Sequence, residues 1–224
     1  MPRVAQAMQS FFGLRSLTIV FLALAGSGTG GVSGIAAAGQ YNSVISVGDA
    51  APSWEALEGV DGKHHSRAET SDKAATVVVF TCNSCPYAVD VEDRLIWLHE
   101  NYSPRDVAVV AINVNLIDED SLPAMKEKAE SKAFPFAYLI DPSQQIAKQF
   151  GAKFTPQCFV INQAGKVAYM GSMDDSPDGK QITQRYVAEA LDAVLAGKNP
   201  KVTETVPIGC QIRFKRERRT RSSR

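Results

Sequence analysis

The chain has 224 residues, 45% hydrophobic and 21% charged, and its 24 basic and 24 acidic side chains cancel to a net charge of zero. That composition excludes a wholly disordered polar chain and leaves room for one sizeable core. The zero balance hides a segregation: Lys215 to Arg224 hold six basic residues and one acid, residues 1–38 add Arg3 and Arg15, and residues 39–214 carry a net −7.

At the N-terminus, Arg3 and Arg15 precede the apolar run Leu17 to Ala25, a Gly/Ser-rich segment and then Ala36-Ala37-Ala38. A positive, then apolar, then small-residue order reads as a secretory signal peptide over residues 1–38. Cleavage is expected after Ala38, with Ala25 the second choice. The apolar run falls short of the about 20 residues of a transmembrane helix, and an uncleaved anchor is the alternative. Export, to a periplasm or the extracellular space, changes how cysteines are read, because disulfides form and persist there. An exported dithiol must be kept reduced by a redox partner or must work from its disulfide form.

Residues 39–47 read as a linker, and a single domain is expected over 48–200. Pro52 to Leu57 and the Asp61-Gly62 turn suggest a short hairpin, with His64 and His65 solvated after it. The β-branched run Thr76 to Phe80 is a buried strand. Directly after it come Cys82-Asn83-Ser84-Cys85-Pro86 and a helix with Ala88, Val91, Leu95 and Leu98 on one face, ending near Tyr102-Ser103-Pro104. Val107 to Asn113 is a second strand buried on both faces, and Ser121 caps a helix carrying Met125 to Ala129. Phe136 to Ile140 is a third strand, and a short helix from Gln144 to Phe150 closes at Gly151. Cys158 to Ile161 and Lys166 to Met170 form a hairpin, and an amphipathic helix spans Ile182 to Ala196. This order gives an α/β fold: a central mixed sheet with helices on both faces, its parallel crossovers first and an antiparallel hairpin at the edge. Residues 201–214 form a C-terminal extension, and 215–224 a basic disordered tail suited at most to weak contact with an anionic membrane surface. Export makes nucleic acid the poorer partner.

Cys82 and Cys85 carry the chemistry. Three residues is close to one helical turn, so both sulfurs lie on one face of the first turn and near enough to bond. Unpaired N–H groups and the positive end of the helix dipole favour the thiolate, the reactive form. Zinc wants four ligands, and neither Cys158, Cys210 nor the three histidines supply the missing two at ligand spacing. A structural bridge across so short a loop would constrain the unfolded chain little. Redox chemistry is what remains, at the carboxyl end of a central strand where open α/β sheets place their sites. Neither a metal nor a nucleotide or flavin cofactor is suggested.

This layout resembles the thioredoxin superfamily, and within it an exported redoxin branch similar to TlpA-like and AhpC/TSA-like proteins, over roughly Val47 to Gly197. A second matching element is Phe154-Thr155-Pro156 before a strand. The resemblance implies a cis bond at Pro156, packing of its ring against the cysteine pair, and a Thr155 backbone free to pair with a substrate strand. It implies a thiol–disulfide oxidoreductase acting on protein thiols and disulfides. In it Cys82, taken as the more exposed sulfur, attacks, Cys85 resolves, Pro86 fixes the second thiol, and Thr155 and Pro156 wall the substrate. Thr81 stands where thioredoxins carry tryptophan, and the strand has no buried acid, which puts a thioredoxin-like proton relay in doubt. The string Val206 to Phe214 is similar to the ending of one redoxin group.

Cys158 reads as a buried small hydrophobe or an additional redox thiol. Cys210 pairs with it, stays free, or reaches the active pair as a third redox thiol. Two rivals stand beside the exchange reading. One is a thiol-dependent peroxidase, with Cys85 reactive and Cys82 where peroxiredoxins carry threonine, although residues 74–81 lack the proline such sites use. The other is a non-enzymatic peptide-binding module.

Overall fold

A computed structural model describes residues 39–216; the expected signal segment 1–38 and residues 217–224 of the tail lie outside them. Strands β1 (Leu57–Gly59) and β2 (His64–His65) form the early hairpin. Then β3 (Ala75–Thr81) leads to α1 (Pro86–Asp90) and α2 (Glu92–Tyr102). These are followed by β4 (Val107–Asn113), α3 (Leu122–Lys132), β5 (Ala137–Ile140) and α4 (Gln145–Phe150). The chain closes with β6 (Phe154–Thr155), β7 (Gln157–Asn162), β8 (Val167–Gly171), α5 (Tyr186–Leu195) and β9 (Cys210–Gln211).

Among the described residues, seven strands form one mixed sheet in the order β2-β1-β5-β4-β3-β7-β8. β3, β4 and β5 run parallel, and β7 and β8 return antiparallel. β3 lies between β4 and β7 and is buried at every position, as an uninterrupted β-branched run requires. Alternate residues of β3 feed two cores. Val77 and Val79 pack with Leu95, Leu98, Met125 and Leu191 from α2, α3 and α5. Val78 and Phe80 pack with Ile146, Ala147 and Phe150 of α4, and with Trp54 and Leu57. Phe80, Phe150 and Phe159 meet edge to face at centroid separations of 5.0–5.8 Å, a geometry worth about 0.5–1.5 kcal/mol per pair beyond area. Phe80 lies two residues before Cys82, so this cluster fixes the end of the strand that delivers the cysteines.

Four expectations are corrected. Residues 39–47 are not a loose linker: Asn42 Nδ2 donates to Phe150 O at 2.7 Å, and Ile45 is in the core. The helix after the cysteines is two helices, broken where the Val91 N–H reaches Ala88 O, three residues back. α5 starts at Tyr186 rather than Ile182, because the Asp175 carboxylate takes the N–H groups of Thr183 and Gln184 and holds that segment in a loop. His65 is bound rather than solvated, with Glu69 at 2.9 Å and Asp61 at 3.1 Å from its two ring nitrogens. A further element had no sequence signature: β6 and β9 make a separate two-stranded antiparallel sheet.

Candidate active site

β3 ends at Thr81, and Cys82 opens the loop that follows. Cys85 is the N-cap of α1 in an extended conformation, and Pro86 follows in the first turn, where its missing N–H is no loss and its fixed φ favours the helix. The Thr155–Pro156 peptide is cis and lies against this loop. Thr155 touches both sulfurs: its Oγ1 is 3.5 Å from Cys82 Sγ, and its carbonyl accepts from Cys85 Sγ at 3.0 Å. Cys82, Cys85, Thr155 and Pro156 therefore come together, and Pro86 serves as helix start. Cys158 does not join them. It is fully buried among Val79, Val160 and the residues of α2 and α5, and burial pushes its thiol up to about 12. A Cys158–Cys210 bridge is also not formed; all four cysteines are free, and Cys210 packs instead on Cys82, Cys85 and Ala88.

Two expectations about access are overturned. Cys82 is not the more exposed sulfur, since both cysteines are only 2% exposed. The Thr155 backbone is not free for a substrate strand, because Cys210 is its antiparallel partner, Gln211 pairs with Phe154, and the Ile212 N–H donates to Lys153 O at 2.8 Å. The physical reason is the same in both cases. An open edge at Thr155 leaves backbone groups unpaired, and the chain's own C-terminal segment fills it. That segment is tied on both sides. Upstream, the Ser172 N–H donates to Thr205 Oγ1 at 2.9 Å and Ser172 Oγ to Val206 O at 2.8 Å. Downstream, Ile212 is core, Gln144 Nε2 donates to Arg213 O at 3.1 Å, and the Lys215 N–H donates to Gln144 Oε1 at 2.8 Å.

The sulfurs divide one proton unequally. The Cys85 thiol is lowered to about 5, first by the facing Cys82 thiol, then by the Cys210 thiol and the backbone N–H groups of Ala88 and Cys210. Cys82 is raised, first by that same hydrogen bond to Cys85, then by burial and the charge of Asp120. Burial and then the neighbouring Cys85 push Cys210 up to about 11. The surroundings thus favour ionisation at Cys85 over Cys82 and Cys210, and on ionising Cys85 gives up its S–H bond to the Thr155 carbonyl. Cys85 and Cys210 also line an open groove of about 680 Å³, together with Ser84, Asn115, Ile117 and Phe214. Cys82 does not line that groove and borders instead a small void of about 10 Å³, shared with Glu92 and Tyr138, with room for about one water.

Asp120 is the residue that sequence reasoning missed. It is completely buried, and its Oδ1 accepts from the Asn83 and Ser84 N–H groups at 2.7 and 2.9 Å. Its Oδ2 accepts from Ser84 Oγ at 2.7 Å and Asn115 Nδ2 at 3.0 Å. Asn113, at the end of β4, donates to Asp120 O at 2.6 Å and so sets the turn that aims the carboxylate. Asn83 is further held by Tyr138 Oη at 2.9 Å and Glu119 O at 3.0 Å. The available signal was the obligation of the Asn83 and Ser84 N–H groups to find acceptors. A buried acid is also present behind Cys82, but it is Glu92 from α2, paired with Lys128 at 2.9 Å, rather than a residue of β3.

A family model described as the AhpC/TSA family matches residues 47–170. Among solved structures, an uncharacterized conserved protein from Geobacillus kaustophilus is 36% identical, covering 79% of this chain and 96% of its own, with a TM-score of 0.74. Two more distant likenesses bear on the fold alone. A putative thiol:disulfide interchange protein DsbE from Chlorobium tepidum is 23% identical with a TM-score of 0.50, over 56% of this chain and 84% of its own. Peroxidoxin BcpB from Mycobacterium tuberculosis is 20% identical with a TM-score of 0.53, over 67% of this chain and 96% of its own. No curated protein matches.

Proposed function

Because this chain belongs to the AhpC/TSA family, with a thioredoxin-like fold and the oxidoreductase character that goes with it, we propose that it is a thiol–disulfide oxidoreductase in which Cys85 is the attacking sulfur and Cys82 the resolving one. The observation that carries this is geometric: Cys85 packs with Cys82 and Cys210 and lines the open groove, which Cys82 does not, and its thiol is the one lowered. The Cys85 thiolate attacks a sulfur of a protein disulfide. A Cys85–substrate disulfide forms and one substrate thiolate leaves. Cys82 then attacks Cys85 Sγ, the mixed disulfide breaks, and the second substrate thiolate departs with the proton Cys82 gives up. This reverses the order of attack expected from the sequence, since the exposure argument for Cys82 no longer applies. The substrates are protein thiols and disulfides, and a redox partner resets the pair.

A peroxidase reading is favoured by one observation: the lowered Cys85 thiol sits at the N-cap of a helix, three residues after Cys82. Reduced protein mixed with hydrogen peroxide in a stopped-flow instrument, set against an insulin-type disulfide reduction assay, separates the two. Exchange predicts turnover of the protein disulfide and slow peroxide oxidation. Fast peroxide consumption without disulfide turnover would reverse the assignment. The reading includes export, with residues 1–38 as the leader, and N-terminal sequencing of the mature chain should begin at Gly39.

A further inference from the structure

The cysteine pair has a third sulfur beside it, delivered by a segment with no part in the sheet. β9 places Cys210 opposite Thr155, the residue that contacts both Cys82 and Cys85. The approach is close enough to dictate sequence. A Cβ at Gly209 would lie 2.2 Å from Thr155 O, 2.6 Å from Thr155 C and 3.0 Å from Pro156 N, so only glycine lets the segment lie flat on the cis peptide and bring the next residue to the sulfurs. The anchors at Thr205, Ile212 and Gln144 hold both ends of the segment. Cys210 lines the same groove as Cys85, whereas Cys82 does not.

We propose that Cys210 is a second resolving cysteine, forming a Cys85–Cys210 disulfide as an alternative to Cys82–Cys85. The assignment rests on the exchange reading above and deepens it. In the step, Cys85 already carries a mixed disulfide with the substrate. The Cys210 sulfur attacks Cys85 Sγ, the Cys85–Cys210 bond forms, and the Cys85–substrate bond breaks. The substrate sulfur leaves as a thiolate and takes the proton that Cys210 loses. Two protein thiols are oxidised to one disulfide, and the substrate disulfide is reduced to two thiols. Part of what holds the Cys210 proton is its neighbour Cys85. Once Cys85 is in a mixed disulfide that thiolate charge is gone, so Cys210 becomes easier to ionise at the moment it is needed. The β6–β9 pairing supplies the proximity that makes the attack effectively unimolecular.

The test uses full-length reduced protein and 2-hydroxyethyl disulfide, a probe small enough for the groove. Cys82→Ser is expected to release both mercaptoethanol halves of the probe and to yield a Cys85–Cys210 crosslinked peptide on mass mapping. Cys82→Ser with Cys210→Ser is expected to release one half and keep the other as a stable adduct on Cys85. Gly209→Val, which leaves all four cysteines in place, is expected to lose the Cys85–Cys210 crosslink while still forming Cys82–Cys85. If Cys82→Ser releases only one half and its Cys210 remains open to alkylation, the second resolving role is wrong and the exchange reading survives. Release from no variant, wild type included, overturns both.

Discussion

Replacing Cys85 by serine is expected to lower disulfide-exchange turnover on the order of 10³-fold or more, the scale on which loss of a covalent nucleophile acts, while Cys82→Ser keeps a measurable fraction. The magnitude does not come from the lowered thiol alone. With a value of about 5, Cys85 is about 99% thiolate at pH 7, against about 3% for a free thiol near 8.5, a gain of about 30-fold. Nucleophilicity falls with basicity at a Brønsted slope of about 0.4–0.5, which over that difference removes about 25- to 60-fold. The two effects nearly cancel. Cys85 matters because it is the atom through which every bond must pass: it faces Cys82 and Cys210 and lines the groove. Stabilising its thiolate instead favours the reduced pair, which pushes the couple toward the oxidising end of the superfamily's range. Alkylation by iodoacetamide provides the check. In the reduced wild type the fast phase should be half-maximal near pH 5, falling below it as Cys85 takes up its proton and flat above it. That phase should be missing from Cys85→Ser. A fast phase that persists in Cys85→Ser and disappears in Cys82→Ser would return the attack to Cys82.

Much of the frame was legible because period and punctuation agree with the fold. The β-branched runs at Thr76 and Val107 became β3 and β4, the Asn162 to Gly165 turn joined β7 to β8, and Cys-x-x-Cys fell at the end of a central strand. Pro156 is cis, as the resemblance implied. What stayed hidden depends on long-range pairing, which leaves no period. Cys210 meets Thr155 across 55 residues through two-residue strands too short to show alternation. Asp120 reaches Asn83 across 37 residues as a single side chain. Exposure misled for a related reason. A sulfur at a helix start reads as solvent-facing, whereas here both sulfurs are buried and the returning segment Val206 to Phe214 packs Cys210 against them.

The second large effect concerns that hidden carboxylate. Asp120→Ala is expected to destabilise the reduced protein by about 3–5 kcal/mol, the range for removing one partner of a buried, charge-centred hydrogen-bond set. Four donors lose their acceptor: the N–H groups of Asn83 and Ser84, the Ser84 hydroxyl and the Asn115 amide. The four losses do not add in full, because Ser84 is exposed and Asn83 and Asn115 are only half-buried, so water recovers part of them. Asp120→Asn keeps the shape and the acceptor for the two N–H groups but turns an amide toward the Ser84 hydroxyl and the Asn115 amide. Its loss should be about 1–2 kcal/mol. Urea unfolding followed by circular dichroism would rank the three proteins, with unchanged slopes and midpoints falling in the order wild type, Asn, Ala. Function should follow the same order, because Asn83 and Ser84 set the distance between the two sulfurs and a slack loop lengthens the path for resolution. An Asp120→Ala protein within about 1 kcal/mol of wild type, with unaltered exchange, would mean that the loop is held by Tyr138 and Glu119 alone and that the buried carboxylate does not position the cysteines.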